Sequence, residues 1–360
     1  MKARTRYELH KLLFVVVYWI VASNLYVLVR HVGSPYTPSS NVVDEVISIQ
    51  STVLLSTVGG LLTGLLIGLL EIFIYPRILK KLTFGMSILS RTLVFFFIVI
   101  TSISMISTIF YLNRDYTIFQ TAGFTLDYYA TESFLSLIIY LIVVSSVMDF
   151  ILQVNKRLGP GIILNMLSGK YYRPREEYRI FMFIDLQSSS KTAEKIGHFN
   201  FSCLLQDCFL DLSSILMQYE GFVYQFVGDE AVVTWSKNKG LRGSNCYHLY
   251  HEFDKLLQSR KSYYNTKYGH MPVFKASINM GKVTVAEVGE IKSELAYHGD
   301  VLNTASRVQA LCNNYSKKIL VTHVVAEELK NDKCLAVTLV DEVNLRGKEN
   351  KEKIYTVNIA

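Results

Sequence analysis

Two aspartates stand at the ends of β-prone segments in the polar half of the chain. Asp185 follows an apolar run, and Asp229 follows the run 222–227 and one glycine. A third β-prone run, 231–235, comes soon after, so this stretch predicts a hairpin with Asp229 at its tip. The tip would lie beside the end of the first strand and bring the two carboxylates together. Such a pair suits a hard divalent cation such as Mg²⁺, which binds through one or two carboxylates plus substrate phosphates.

The elements that position these aspartates follow from the spacing of the apolar residues. Residues 190–219 have apolar side chains at mostly helical intervals, which predicts a helix between the first strand and the hairpin. Further helices are predicted at 246–264, 301–314 and 324–330, and strands at 273–280, 283–288, 318–322, 336–345 and 354–358, with a turn at Gly281. This order predicts an α+β sandwich of the ferredoxin-like kind.

A structural role remains open for both aspartates at this level. Gly-Asp is common turn chemistry, and an aspartate at the end of a strand also caps a following helix. Spacing alone therefore does not separate a metal site from a turn and a cap.

The 360 residues have an uneven distribution of polarity and a net charge of +7. Residues 1–152 are dominated by apolar and hydroxyl side chains, and residues 153–360 contain most of the charge. Much of the basic excess lies beside apolar runs, as expected at a membrane surface, so the charge requires no nucleic-acid partner. The five cysteines are odd in number and show no CxxC spacing, so neither a disulfide framework nor a zinc site is indicated.

Four apolar runs in the first half are close to the length that spans a bilayer, about 20 residues. They cover residues 12–29, 53–74, 93–112 and 134–152. Lys and Arg are frequent before the first run, between the second and third, and after the fourth. The positive-inside rule therefore places both termini in the cytoplasm. The pattern predicts a multi-pass protein of the cell (inner) membrane, with the polar half in the cytoplasm.

The chain divides on this basis into three parts. Residues 1–152 form the predicted membrane domain, 153–178 a connector, and 179–360 a polar domain that contains Asp185 and Asp229. The connector contains the helix-breaking sequence Gly159-Pro160-Gly161.

Two features of the predicted spans concern helix packing. Gly60, Gly64 and Gly68 repeat every four residues and form a face that another helix can approach closely. Glu71 and Asp149 lie near the cytoplasmic ends of the second and fourth spans, where we expect both carboxylates to be solvated. The spans show no repeated charged positions of the kind that line a transport path, and we expect no buried charged pairs among them.

Several segments of the polar half resemble, in order and spacing, the class III nucleotide cyclase catalytic domain. They are residues 183–186, 226–229, 274–281 and 299–307, followed by the basic segment 345–348. The resemblance extends from about residue 179 to the C-terminus. It implies an adenylyl cyclase in which the ribose 3′-hydroxyl of ATP attacks the α-phosphate, yielding cyclic AMP and pyrophosphate.

The resemblance also implies roles for individual residues. Asp185 and Asp229 would hold two Mg²⁺ or Mn²⁺ ions per active site, with Leu186 included in the metal site. Asn303 would orient the ribose, and Arg307 would stabilise charge on the α-phosphate. Asn303 and Arg307 are four residues apart on one predicted helix and therefore share a face.

Further residues correspond to the family's nucleotide-binding positions. Arg346 and Lys348 would bind the β- and γ-phosphates. Lys275 corresponds to the adenine-selecting lysine, where guanylyl cyclases have Glu. The partner position falls on Ala296, whose side chain does not hydrogen-bond, so the backbone carbonyl of Tyr297 is the expected substitute.

The family's architecture implies a homodimer with two equivalent composite sites. One subunit would supply the metal aspartates, and the other would supply Asn303 and Arg307. The expected partners are ATP, a second copy of the chain, the lipid bilayer and an unidentified signal or ligand at the membrane domain.

Other functions stay open. They are a guanylyl or dual-specificity cyclase, a membrane receptor with a catalytically inactive cyclase-like domain, and a transporter. A diguanylate cyclase is disfavoured because Gly228-Asp229-Glu230 lacks that family's Gly-Gly-(Asp/Glu)-Glu-Phe signature.

Overall fold

The computed structural model describes residues 3–33, 49–75, 83–112, 117–158, 165, 168–291 and 293–360. It divides into two compact units, of which one consists of Thr5–Pro160 and the other contains Gly161–Ala360. The predicted connector spans this division, and its residues 159–164 and 166–167 lie outside the described residues.

Helices make up the first unit. They are α1 Ala3–Gly33, α2 Ile49–Leu69, which continues as a π-helical turn Leu70–Ile74, α3 Phe84–Leu112, α4 Ile118–Tyr129 and α5 Glu132–Leu158. Helix α4 lies in a stretch where the sequence indicated only a connection between spans.

Three helices in the described part of the chain are long and apolar enough to cross a membrane. They are Tyr7–Arg30, Ser56–Ile74 and Phe134–Asn155, and a shorter apolar stretch, Gly85–Thr101, lies within α3. These helices indicate association with a membrane. The fourth span and the orientation of the termini stay predictions.

The glycine face of α2 packs against α1, as the spacing predicted. A Cβ atom added to Gly60 would lie 2.7 Å from the carbonyl oxygen of Trp19, and one added to Gly64 would lie 2.7 Å from the Cα atom of Val16. Gly68 likewise faces a side chain of α1. The two backbones are thus close enough that larger residues at these positions would separate the helices.

A buried cluster of charged residues joins α1, α2, α3 and α5. Glu71, in the π-helical turn, is 2% exposed and Asp149 on α5 is 7% exposed. Lys11 donates a hydrogen bond to Glu71 at 2.6 Å, and Arg91 forms ion pairs with Glu71 and, at 3.6 Å, with Asp149. The expectations that both carboxylates are solvated and that the helices lack buried charged pairs are therefore wrong. Basic partners on α1 and α3 take the place of water around these carboxylates.

The second unit is built on one mixed sheet. Its strands are β1 Arg175–Leu186, β2 Phe222–Val227, β3 Glu230–Ser236, β4 Phe274–Val288, β5 Glu294–His298, β6 Ile319–Thr322, β7 Leu335–Val343 and β8 Glu352–Ile359. The strand order is β2-β3-β1-β4-β6-β8-β7, and β5 pairs with β4. The pair of β4 with β6 is parallel, and the other pairs are antiparallel.

Helices cover both faces of this sheet, which confirms the predicted α+β class. They are α6 Ser189–Ile196, α7 His198–Leu216, α8 Lys237–Leu241, α9 Asn245–Ser259, α10 Lys261–Tyr268, α11 Asp300–Ala310 and α12 His323–Leu329. The even-numbered residues of β1, such as Met182, enter the large core with α7, α9 and α10, whereas Phe181 and Phe183 enter a smaller core with α11. Because side chains alternate along a strand, Asp185 belongs to the face covered by α11.

The turn predicted at Gly281 is wrong, since β4 is one continuous strand. Gly281 lies inside it, paired with Arg179 of β1. A Cβ atom on Gly281 would lie 2.8 Å from the Cγ2 atom of Val301 at the start of α11. The glycine therefore permits the close approach of a helix rather than a reversal of the chain.

We expect Gly64→Ala to destabilise the helical unit by about 1–3 kcal/mol, because the added methyl group meets the backbone of α1. Gly59→Ala is the matched control, since a Cβ atom there meets nothing within 4 Å on the same helix. Both substitutions gain the same helix propensity. Scanning fluorimetry of the full chain in detergent measures the unfolding temperatures, and equal values for the two variants would contradict the close packing.

We expect Arg91→Met to destabilise the helical unit by about 3 kcal/mol, because two buried carboxylates lose their shared cation. The double variant Arg91→Met/Asp149→Asn lowers the uncompensated charge and should recover part of the loss. Unfolding of the full chain in detergent measures both. A double variant that shows the sum of the two single losses would argue against coupling through this ion pair.

Candidate active site

The end of β1 and the tip of the β2–β3 hairpin meet, as the sequence predicted. Antiparallel pairing of β1 with β3 places Asp185 opposite Glu230. Gly228 has a φ of +59°, in the left-handed region that favours glycine, and forms the tight connection together with Asp229. Asp229 thus adjoins the residue that pairs with Asp185, and, in addition to burial, its charge raises the pKa of Asp185.

Negative charge is concentrated at this point. Burial raises the pKa of Asp185 above its usual value and Asp229 raises it further, against a hydrogen bond from Gln309 and the charge of Lys275. Burial and the charges of Asp185 and Asp229 raise the pKa of Glu230 to about 7. The Lys275 ammonium lies 3.7 Å from Asp185 Oδ2. The three carboxyl groups act on one another, and Lys275 forms an ion pair with Asp185, so a divalent cation would relieve the excess negative charge.

The donor set fits a hard divalent cation. Carboxylate oxygens are the ligands that Mg²⁺ and Mn²⁺ prefer. Within the described ranges, no three His, Cys, Asp or Glu side chains are arranged as a complete ligand set. The two aspartates would therefore share a cation with other oxygen donors, such as substrate phosphates and water. The Leu186 side chain is buried in the core, so its backbone carbonyl is the group able to act as a ligand.

Gln309 is a site residue that the sequence analysis missed. It lies in the last turn of α11, is 7% exposed, and its Nε2 atom donates to Asp185 Oδ2 at 2.9 Å. A glutamine six residues after Asn303 belongs to no recognised motif. The feature of the sequence that could have identified Gln309 is its position on the buried face of the helix predicted at 301–314.

A second group of predicted residues surrounds the other face of α11. Asn303 is exposed there and Arg307 is half-buried. The Arg307 guanidinium lies beside Gly347 in the β7–β8 loop, with its Nη2 atom 3.7 Å from where a Cβ atom of Gly347 would stand. The same loop contains Arg346, whose side chain is exposed. The structure therefore brings Asn303, Arg307 and the basic loop to one surface.

Lys348 fastens this loop to the start of α11. Its ammonium lies 3.1 Å from Asp300 Oδ2 and 3.5 Å from Glu352 Oε2. Partial burial opposes ionisation of Asp300, but hydrogen bonds from Lys348 and Thr304 lower the pKa of Asp300 below its usual value. Lys348 is thus already paired with two carboxylates.

The two groups of site residues lie on nearly opposite faces of α11. Arg307 and Gln309 are two positions apart, which is a rotation of about 200° around a helix. Gln309 points to Asp185 of its own chain, whereas Arg307 lies against the β7–β8 loop. The body of the helix therefore separates the carboxylates from the Asn303 and Arg307 pair within one chain.

The predicted base-selecting residues do not lie together in one chain. Lys275 pairs with Asp185 in the sheet, and Ala296 pairs with Ala286, eleven residues further along β4. At about 3.3 Å per residue, this separation is about 36 Å along the strand. Lys275 and Ala296 of the same chain are therefore too far apart to contact one base, and their roles in base selection at a site composed of two chains stay predictions.

The Tyr297 side chain is buried and takes part in packing. Its ring lies 4.9 Å from that of Tyr224 and 5.3 Å from that of Phe181, measured between centroids. Arg179 stacks on the Tyr297 ring and donates a hydrogen bond to its hydroxyl. These contacts leave the backbone as the part of Tyr297 available to a ligand.

Comparisons with known proteins agree on the polar half of the chain. Residues 172–359 match the family model described as the adenylate and guanylate cyclase catalytic domain. The chain is 27% identical to adenylate cyclase 2 of Rhizobium meliloti (strain 1021) over 223 residues, 62% of this chain and 61% of that protein. It is 22% identical to the adenylate cyclase of Anabaena cylindrica over 180 residues, 49% of this chain and 36% of that protein. The chain thus spans less than two thirds of the length of these relatives.

Among solved structures, the chain resembles a bacterial light-regulated adenylyl cyclase. The TM-score is 0.51 and the sequence identity 19%, over 60% of this chain and 64% of that one. At this identity the likeness shows the fold, and it confirms the catalytic fold expected from the sequence.

Glu230 predicts a dependence of stability on pH in metal-free protein. Its pKa is about 7 in the folded state against 4.5 ordinarily, so the folded state takes up a proton as the pH falls from 7 to 4.5. The contribution of Glu230 to the free energy of unfolding is therefore fully present below pH 4.5 and is lost as the pH rises through about 7. Glu230→Gln removes that dependence, so we expect its unfolding temperature relative to the parent to rise between about pH 5 and about pH 8.

Scanning fluorimetry of the full chain in EDTA measures this difference. Glu290→Gln is the control, since Glu290 is exposed beyond the end of β4. A difference between Glu230→Gln and the parent that stays constant over this pH range would show that Glu230 titrates normally.

Proposed function

The chain belongs to the adenylate and guanylate cyclase catalytic domain family through residues 172–359, and we propose that it is a membrane-bound adenylyl cyclase. It would convert ATP to 3′,5′-cyclic AMP and pyrophosphate by in-line attack of the ribose 3′-oxygen on the α-phosphorus. The observation that carries the proposal is the meeting of Asp185 and Asp229 at the end of β1 in a domain of this family.

Asp185 and Asp229 are the proposed ligands of two Mg²⁺ or Mn²⁺ ions per site. When bound, such ions supply positive charge that neutralises the triphosphate and lowers the pKa of the 3′-hydroxyl. Lys275, buried beside Asp185, opposes protonation of that carboxylate. The backbone carbonyl of Leu186 is the proposed additional ligand.

Residues on the exposed face of α11 would act on the sugar and the phosphates. Arg307 would donate to the α-phosphate oxygens and stabilise the charge that develops there. Asn303, on the same face, would hold the ribose. Arg346 is the exposed cation of the neighbouring loop, and its planar guanidinium suits the β- and γ-phosphates. Lys348, already paired with Asp300 and Glu352, would hold this loop against the helix.

We propose a homodimer on the basis of the two faces of α11. A nucleotide held at Asp185 and Asp229 is separated from Asn303 and Arg307 of the same chain by the body of the helix. A second copy related by a two-fold axis would supply that pair from outside, and each copy would complete the other's site. Two equivalent sites per dimer are therefore proposed.

ATP is the proposed substrate because the curated relatives are named adenylate cyclases. GTP is the second candidate. One observation favours it, namely that Ala296 has no side-chain group to hydrogen-bond the amino group of adenine. The proposed adenine contact is then the backbone carbonyl of Tyr297.

The membrane half is proposed to span the bilayer four times, with both termini and the catalytic unit in the cytoplasm. The alternation of Lys and Arg between the apolar runs supports this orientation. The three long apolar helices support insertion in a membrane. The helices would promote dimerisation and receive a signal.

We expect full-length Asp229→Ala and Arg307→Ala variants each to lose cyclic AMP production by about 1000-fold, since each lacks one half of every composite site. Co-expression of the two variants forms heterodimers with one intact site. Random pairing should then restore roughly a quarter of the parent activity. Cyclic nucleotide formation from ATP and from GTP with Mn²⁺ measures the outcome.

Lys239→Ala is a control for the loss of a surface charge, because Lys239 is an exposed residue of α8, which begins at the end of β3 away from Asp229. Co-expressed variants that stay inactive, although folded and dimeric, would contradict the composite site. A parent protein that binds ATP but forms no cyclic nucleotide would instead favour the inactive receptor domain.

A further inference from the structure

Two side chains, Gln309 and Lys275, contact the same carboxylate oxygen of Asp185. Gln309 Nε2 donates to Oδ2 at 2.9 Å, and the Lys275 ammonium lies 3.7 Å from Oδ2. The other oxygen, Oδ1, takes part in neither of these two contacts. The hydrogen bond from a neutral amide therefore orients the carboxylate without neutralising it.

Gln309 is held in place by the helix that contains it. Three contacts fasten α11 and the residues after it to β4: Ser277 donates to the Ala305 carbonyl at 2.6 Å, Asn279 to the Val301 carbonyl at 2.9 Å, and Cys312 to the Ala276 carbonyl at 3.4 Å. Since β4 is also the strand that pairs with β1 at Asp185, the donor and its acceptor are parts of one fixed assembly.

The burial of Gln309 makes this contact selective. The residue is 7% exposed, so its amide competes little with water for Asp185. An unpaired amide at this position would leave buried polar atoms without a partner, which is unfavourable. Gln309 therefore serves as a hydrogen-bond donor to a carboxylate and does not only fill space in the core.

We propose that Gln309 is a positioning residue for the metal site: it holds Oδ2 of the Asp185 carboxylate and so leaves Oδ1 for a cation shared with Asp229. This inference rests on the proposed function. Outer contacts of this kind typically change metal affinity by about 10-fold to 100-fold. Gln309→Met keeps the length of the side chain and removes the donor, and Gln309→Asn keeps the amide but shortens its reach by one methylene group.

The test is a titration of the full-length protein in detergent with Mn²⁺ alone, in which the free ion is followed by paramagnetic resonance. Asp185→Asn defines binding outside the site. Ser277→Ala is the matched control, because it removes another buried hydrogen bond to α11 without touching Asp185.

We expect Gln309→Met and Gln309→Asn to bind Mn²⁺ about tenfold more weakly than the parent, and Ser277→Ala to bind it as the parent does. The Mn²⁺ concentration that gives half-maximal cyclase activity should rise by the same factor, with the KM for ATP little changed at saturating metal. Unfolding temperatures confirm that the variants compared are folded.

The outcomes separate this inference from the proposed function. A parent that binds Mn²⁺ with both Gln309 variants equal to it overturns the positioning role and leaves the proposed function intact. Equal weakening in Ser277→Ala and the Gln309 variants also overturns it, because the effect would then come from loosening of α11. A parent that binds no Mn²⁺ beyond the Asp185→Asn baseline and forms no cyclic nucleotide overturns the proposed function and the inference together.

Discussion

The antiparallel register between β1 and β3 is the constraint on which the catalytic unit depends. It places Asp185 opposite Glu230, so the hairpin tip carries Asp229 to the same edge of the sheet. A slip of one residue would turn Asp185 away from α11 and into the large core, where the even-numbered side chains of β1 lie. The buried alternation of β1, with Phe181 and Phe183 on one face and Met182 on the other, fixes this register. The same register is therefore required both for the stability of the core and for the geometry of the site.

The helical unit combines two opposite ways of holding helices together. Gly60 and Gly64 remove side chains so that the backbones of α1 and α2 approach each other. Glu71 and Asp149 hold the helices together in another way, because their buried charges form ion pairs with basic side chains on other helices. Loss of a glycine or of a partner is unfavourable because neither contact has a substitute in an apolar environment.

Features that depend on residues close together in the sequence were predicted correctly, and features that depend on contacts between residues far apart in the sequence were missed. The hairpin and the meeting of Asp185 with Asp229 follow from adjacent strands, and the glycine face of α2 follows from a repeat of four residues. Glu71 was misjudged because its partner Lys11 lies 60 positions away. Gln309 was missed because its acceptor lies 124 positions away, and Gly281 was read as a turn although its neighbour Val301 explains it. Lys275 and Ala296 were joined by motif order, whereas the strand register separates them.

In the proposed dimer, helix α11 contributes residues to both active sites. In the proposed dimer its Gln309 side serves the site whose aspartates belong to the same chain, and its Asn303 side serves the other site. A helix shared in this way would be a direct physical connection between the two sites. If nucleotide at one site shifts the helix and alters cation affinity at the other, cation binding there must alter nucleotide affinity here by the same factor. Cooperativity would then be a property of a single eleven-residue helix rather than of the whole interface.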